Sequence, residues 1–352
     1  MKTTRFDVKP ISSRERKHRL DYNSNLLRLA PTWFRIGSLE ILAYQGELDI
    51  LEQLTDFIIK QHFPDISIDD DGRYFEFYSQ VVNLTALMIA QWQSVGFAHG
   101  VCNTDNFSLL GITIDYGPFG FMEEYDPGMV PNTSDDEAML SYERQPAVGE
   151  FNLDKLRQAL LPLIPDPHQP YLSTILAGYM DLYKYHHNEI LKRKLGFSGK
   201  YSLNEQLLDD LLRIMSDVRS DFTMTFRQLG DWTLQDIQLC TVPRDMWALH
   251  EASSHNAFRQ WCELYNKELD LASVVEDVER RQTIHSVSPR YILRNWMAQE
   301  AITAAEVGDD RGIRKLQRVL KDPYTRQEEA EAAGFANPPP EWAKRIRVSC
   351  SS

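Results

Sequence analysis

Within residues 99–120, HGVCNTDNFSLLGITIDYGPFG, an acid and an amide stand side by side at Asp105 and Asn106. A second acid, Asp115, follows a short apolar run in a glycine-flanked turn. A carboxylate at a strand end, where the backbone can turn sharply, is a hard oxygen donor, and Asn106 offers a second oxygen from the opposite end of the run. Such a pair suits Mg²⁺, which keeps several waters and binds through one or two protein oxygens together with substrate phosphates. Nucleotide chemistry follows. Upstream, LLRLAPTWFRIGSLE places Arg28 and Arg35 seven residues apart. Arginine presents a planar fork of donors that suits phosphate oxygens, so the two are candidates to clamp a polyphosphate.

The elements that must position these groups can be read from periodicity. Apolar residues recur at helical spacing from Ser38 to Phe63 and again through YFEFYSQVVNLTALMIAQWQSVGF, so two packed helices are expected to lead into the motif. FSLLGITID is short, β-branched and apolar, which predicts a buried hairpin or strand pair with the polar residues at its ends. The stretch YDPGMVPNTSDDEAMLSYERQPAVGEFN is rich in Pro, Gly, Asn and Asp and predicts a long ordered loop. Beyond it, NLDKLRQALLPLI, YLSTILAGYMDLYKYHHNEILKRKLGF, NEQLLDDLLRIMSDV and PRYILRNWMAQEAITAAEVGD read as helices, with Gly196, Gly230 and Gly308 at helix ends. AGFANPPPEW reads as an extended strap. The basic KRKLG run reads as a solvated helix end, and His186-His187, pointing in different directions on a helix, do not share a metal.

Composition sets the limits. A chain of 352 residues, 43% hydrophobic and 25% charged, can bury one large core or two smaller ones. Its net charge of −13 argues against general affinity for nucleic acid or anionic membrane. No apolar run approaches the roughly 20 residues that cross a bilayer. Residues 1–25 form a basic arm without apolar periodicity, and the apolar face of a transit peptide is missing from it. Cys102, Cys240, Cys262 and Cys350 fall in no paired or metal-like spacing, so reduced thiols are expected and zinc is not. The first three read as buried small hydrophobes.

An isolated Asp-x-Gly most often only caps a turn. Here, however, the pattern His-Gly-x5-Asn, a short apolar stretch and Asp-x-Gly resembles the catalytic loop and metal-binding turn of the kinase fold, with His99, Asn106 and Asp115-Tyr116-Gly117 at the corresponding places. One position departs from it. Where a kinase carries its catalytic aspartate two residues after the histidine, this chain has Val101, leaving Asp105 as the nearby carboxylate able to act as base. His99 itself reads as a structural histidine that bonds loop backbone.

Together with APTWFRIGSLE, QPAVGEFNLDKL, SPRYILRNWMAQEAITAAE and the closing SCSS, this motif resembles selenoprotein O and its bacterial YdiU-type relatives, over roughly Leu26 to Ser352. The resemblance implies a mainly α fold, the C-terminal lobe of a kinase-like domain with a small β element and extra C-terminal helices, spanning residues 26–352. It implies ATP bound inverted relative to kinases, with AMP transferred to Ser, Thr or Tyr hydroxyls of proteins. Carried over by motif, Asp105 is implied as base, Asn106 and Asp115 as ligands of Mg²⁺ (Mn²⁺ the alternative ion), and Arg28 and Arg35 as contacts to the nucleotide's phosphates. Cys350, third from the end, is implied as a redox residue, although the loop position that carries its partner thiol in many bacterial members is Pro131 here.

The family pattern also has a lobe ahead of LLRLAPTWFR, with a glycine-rich segment and a paired lysine and glutamate. Only 25 residues, none of them glycine, precede it here, so a fragment or short isoform with half of the nucleotide cleft missing is expected. The readings are then three: a protein adenylyltransferase, a catalytically inactive fragment or regulatory pseudokinase, and a kinase-type phosphotransferase. Residence is expected to be mitochondrial for a eukaryotic source and cytoplasmic for a bacterial one.

Overall fold

In a computed structural model, the structure describes residues 28–273 and 277–348, together with the backbone of an antiparallel pair, β1 (Arg5–Phe6) and β2 (Asn25–Leu26). The remainder of the basic arm, and Cys350 with the rest of the tail, lie outside the described residues. The architecture is mainly helical, with three buried clusters in succession along the chain.

The first cluster gathers α1 (Ile36–Gln45), α2 (Leu48–His62), α3 (Arg73–Ser94), α4 (Gln145–Leu160), α5 (Pro170–Ala177) and α6 (Tyr179–Lys194). Its axis is α3, whose Phe77, Tyr78, Val81, Val82, Met88, Ile89 and Trp92 recur at three and four spacing and are all buried. Two of the predicted helices are each divided in the structure. The 38–63 stretch breaks at Gly46, which takes φ 74° and lets the chain turn from α1 into α2. The 171–197 stretch breaks at Gly178, between α5 and α6. Conversely, the predicted loop ends early, because α4 begins at Gln145. Pro146 sits in its first turn, where the missing N–H costs nothing.

The second cluster holds α7 (Glu205–Val218), α8 (Phe222–Leu229), α9 (Leu234–Gln238), α10 (Trp247–Ala252), α11 (Phe258–Leu271) and α12 (Asp277–Val287). Side-chain oxygens of Asn204, Asp221 and Thr233 cap α7, α8 and α9. The third cluster packs α13 (Asn295–Glu306), α14 (Arg311–Val319) and α15 (Glu328–Ala332) around Trp296, Met297 and Phe335. Residues 289–294, predicted as helix, are not helical, and α13 starts only at Asn295. The KRKLG run also departs from expectation. Lys192 and Lys194 are buried, Lys192 bonding Glu189 and the Gly199 carbonyl while Lys194 lies over the Phe226 ring.

The β element is small. β3 (Phe97–Ala98) pairs antiparallel with β4 (Gly120–Phe121), so the whole motif is a loop closed at its base by these strands. Inside it, the predicted hairpin reduces to a single bridge between Phe107 and Thr113 around Gly111. Gly111 has φ 60° and presses against the Leu84 carbonyl of α3, where no side chain fits. Among the described residues no helix is long and apolar enough to cross a membrane.

Candidate functional site

The loop that carries the motif is held from beneath by buried polar side chains. His99 is fully buried and stacked on Trp92, with ring centroids 5.3 Å apart. Its Nε2 lies 2.8 Å from the Ile114 carbonyl and its Nδ1 3.4 Å from the Val101 N–H. A carbonyl only accepts, so Nε2 carries the proton and Nδ1 is the acceptor. Burial lowers the pKa of His99, which favours this neutral form. The ring therefore ties the start of the loop to the residue before Asp115, the structural part expected for it.

From α4, Gln145 accepts the His99 N–H (2.9 Å) and donates to the Phe97 carbonyl (2.9 Å), while Asn152 donates to the Cys102 carbonyl (3.2 Å). Asn132 donates to the Gly100 carbonyl at 3.2 Å. Sequence reading does not single out these three positioning residues; for Gln145 and Asn152 the available signal is polar side chains at the start of an amphipathic helix, in QPAVGEFN, and for Asn132 there is none.

The predicted residues separate into one assembled group and two neighbours. Residues 34–36 run alongside 107–109, with the Ile36 N–H on the Phe107 carbonyl (3.0 Å) and the Leu109 N–H on the Phe34 carbonyl (3.2 Å). That pairing brings Arg35, the residue that precedes α1, to Asp115, with Nη2 2.7 Å from Oδ2. Arg28 joins from the same side, its Nη1 3.7 Å from Asp115 Oδ1 and its Nη2 donating to the Tyr116 carbonyl at 3.4 Å. Asp115 adopts φ 55°, a left-handed conformation that a residue with a β-carbon takes only at a cost. About a third of each of these three side chains is exposed, so the site is an open face.

Asn106 donates to the Val101 carbonyl at 2.8 Å, which leaves its oxygen as the free donor atom. The carboxylate of Asp105 is exposed and lies against Gly37 in the first turn of α1, within a space that a β-carbon would fill. The positive end of that helix favours a carboxylate there. The arginines thus contact the implied metal ligand itself. With Asp115 in contact with both Arg28 and Arg35, any ion or phosphate that enters must exchange partners with them.

Among the described residues no group of three or more His, Cys, Asp or Glu could hold a metal. One carboxylate and one amide oxygen, from Asp115 and Asn106, are a donor set that fits an ion bound together with substrate phosphates, as Mg²⁺ commonly is. Among the described residues, the buried Nε of Arg35 also has no hydrogen-bond partner. Behind the turn, a cavity of about 440 Å³ is lined by Trp92, Phe97, Thr113, Tyr116 and Phe121, and none of the five candidate site residues faces it.

Comparison with known proteins adds the family. The model of the family described as "Protein adenylyltransferase SelO" matches residues 12–321. The chain belongs to the SelO family. Over 327 residues it is also 40% identical to the protein nucleotidyltransferase YdiU of Myxococcus xanthus (strain DK1622), an alignment covering 93% of this chain. The chain spans 64% of the length of that relative. The SelO match takes in Arg28, Arg35, Asp105, Asn106 and Asp115, and it ends within the third cluster, just after α14.

Proposed function

We propose that this chain acts in protein adenylylation, transferring AMP from Mg-ATP to Ser, Thr or Tyr hydroxyls of proteins, and that residues 26–352 form the helical lobe of a kinase-like domain. The observation that carries the reading is the convergence of Arg28 and Arg35 on Asp115, in the loop that also carries Asp105 and Asn106. A site built for phosphates and a cation needs both signs of charge within one reach.

In this reading Asp105 accepts the proton of the acceptor hydroxyl as its oxygen attacks the α-phosphorus. The bond from that phosphorus to the β-phosphate's bridging oxygen breaks, and pyrophosphate leaves. Arg28 and Arg35 exchange Asp115 for phosphate oxygens and stabilise the charge that develops on the leaving group. Asn106 and Asp115 would hold Mg²⁺, which when bound neutralises phosphate charge. Val101, with no proton to exchange, disfavours the phosphotransferase alternative. With a bacterial relative at 40% identity, a cytoplasmic setting is the placement we carry forward.

The test is intact-protein mass spectrometry of this chain and its Asp115→Ala variant, each incubated with Mg-ATP and a generic acceptor protein. An AMP-sized addition, lost in the variant, is the expected result. A phosphate-sized addition would replace the reading with a kinase-type transfer. No addition would make this chain, on its own, the inactive or regulatory form.

A further inference from the structure

The short helix α9 ends in a defined way. The Cys240 N–H bonds the Ile237 carbonyl at 2.9 Å and the Thr241 N–H bonds the Asp236 carbonyl at 2.9 Å, the paired pattern of a Schellman helix end. The residue after the cap in that pattern is left-handed and is usually glycine. Here it is Cys240, at φ 52°, where its β-carbon crowds the following carbonyl. A cysteine is thus held where glycine fits better.

The Ile237 carbonyl that accepts the Cys240 N–H also accepts from Cys262 Sγ at 3.3 Å and from Asn266 Nδ2 at 2.9 Å. Two cysteines separated by 21 residues of sequence therefore converge on one oxygen atom, Cys240 through its backbone N–H and Cys262 through its thiol. Cys240 is half-buried and Cys262, on α11, is fully buried. Cys262 is closed off from solvent, so the thiol that meets an incoming oxidant is the half-buried Cys240.

We propose that Cys240 and Cys262 form an oxidisable pair that closes to a disulfide between α9 and α11, with a peroxide as the oxidant. The Cys240 sulfur attacks one peroxide oxygen and the O–O bond breaks. The departing hydroxide takes the thiol proton and leaves as water, and Cys240 becomes a sulfenic acid. The Cys262 sulfur then attacks the Cys240 sulfur, the S–O bond breaks, and the hydroxyl leaves with the Cys262 proton as a second water. Both peroxide oxygens end reduced and both sulfurs oxidised.

The experiment treats the full reduced chain with hydrogen peroxide, blocks remaining thiols by alkylation, and maps peptides without reduction. The expected result is a linked peptide pair holding Cys240 and Cys262, two hydrogens lighter than the sum of its halves, and reversed by dithiothreitol. The four alkylatable thiols fall to two. Cys240→Gly should abolish the link while holding or raising the melting temperature, because glycine suits the left-handed position. Cys262→Ala should stop at a Cys240 sulfenic acid that dimedone traps. Oxidation of Cys240 in the wild type without that link, pairing of Cys240 elsewhere, or no reaction below denaturing peroxide would each overturn the proposal.

Discussion

Gly37 and Asp105 show how one missing methyl group can set a site. The Asp105 carboxylate occupies the space that a β-carbon on Gly37 would take, at the amino end of α1. Gly37 has an ordinary helical backbone, so Gly37→Ala carries no conformational penalty and gains about 0.5–1 kcal/mol of helix propensity. Its methyl group nonetheless displaces the carboxylate. If Asp105 is the base, a displacement of about 1 Å lowers transfer by ~100-fold while the melting temperature stays close to that of the wild type. Measuring transfer rate and thermal unfolding on the same preparation separates the two effects. Unchanged transfer would remove Asp105 from the proposed mechanism. The chemical identities of Asp105, Asn106 and Asp115 are legible in sequence, because few roles demand an acid, an amide and an acid at that spacing. The Arg35 to Asp115 contact is not legible, since it depends on residues 34–36 docking along 107–109.

Helical periodicity identified α3, α7 and the body of α4, where apolar residues repeat without interruption. It misjudged the breaks at Gly46 and Gly178, since apolar spacing continues across them and only backbone geometry stops the helix. It also failed for the end of α6, because charge alone does not say whether a lysine is solvated. Lys194 is fully buried, its ammonium 4.9 Å from the Phe226 ring centroid and 5.9 Å from that of Phe222, and burial lowers its pKa to about 7. His187, itself lowered to about 4 by burial and by Lys194, is the neighbouring titratable group. Below pH 7 the folded state holds a buried charge. Between pH 7 and the unfolded value near 10.5 the unfolded chain binds the extra proton, so stability rises with pH across that window. Lys194→Met, similar in volume and without charge, should therefore stabilise the protein by ~1–3 kcal/mol at pH 7. The gain should shrink towards pH 10. Urea unfolding at several pH values checks this, and a destabilised variant at pH 7 would mean that the ammonium makes a bond worth more than its burial costs.

The three clusters are tied together by charge as well as by apolar packing. Arg294, fully buried just before α13, pairs with Asp221 at 2.7 Å and with Glu123. Asp221 caps α8 through the Met224 N–H at 2.7 Å, and Glu123 follows β4 at the base of the motif loop. A single guanidinium therefore joins the loop that carries Asp115 to the second cluster and to the start of the third. It also explains the non-helical PRYILR segment, because helical continuation upstream of Asn295 would move the Arg294 side chain off these two acids. Sequence periodicity could not reveal this, as both acids lie more than 70 residues away along the chain. Arg294→Met keeps the aliphatic length but leaves two carboxylates facing each other with their cation gone. Such a loss typically costs ~3–5 kcal/mol, far more than an exposed pair. Adding Glu123→Gln to Arg294→Met removes one of the stranded charges and should recover part of that stability, whereas Glu123→Gln alone should destabilise. Because the site is open and the triad lies at the base of its loop, transfer by Arg294→Met should fall even at temperatures where the variant remains folded. A loss below about 1 kcal/mol would mean that Glu123, whose side chain is 32% exposed, turns to solvent and carries the strain away.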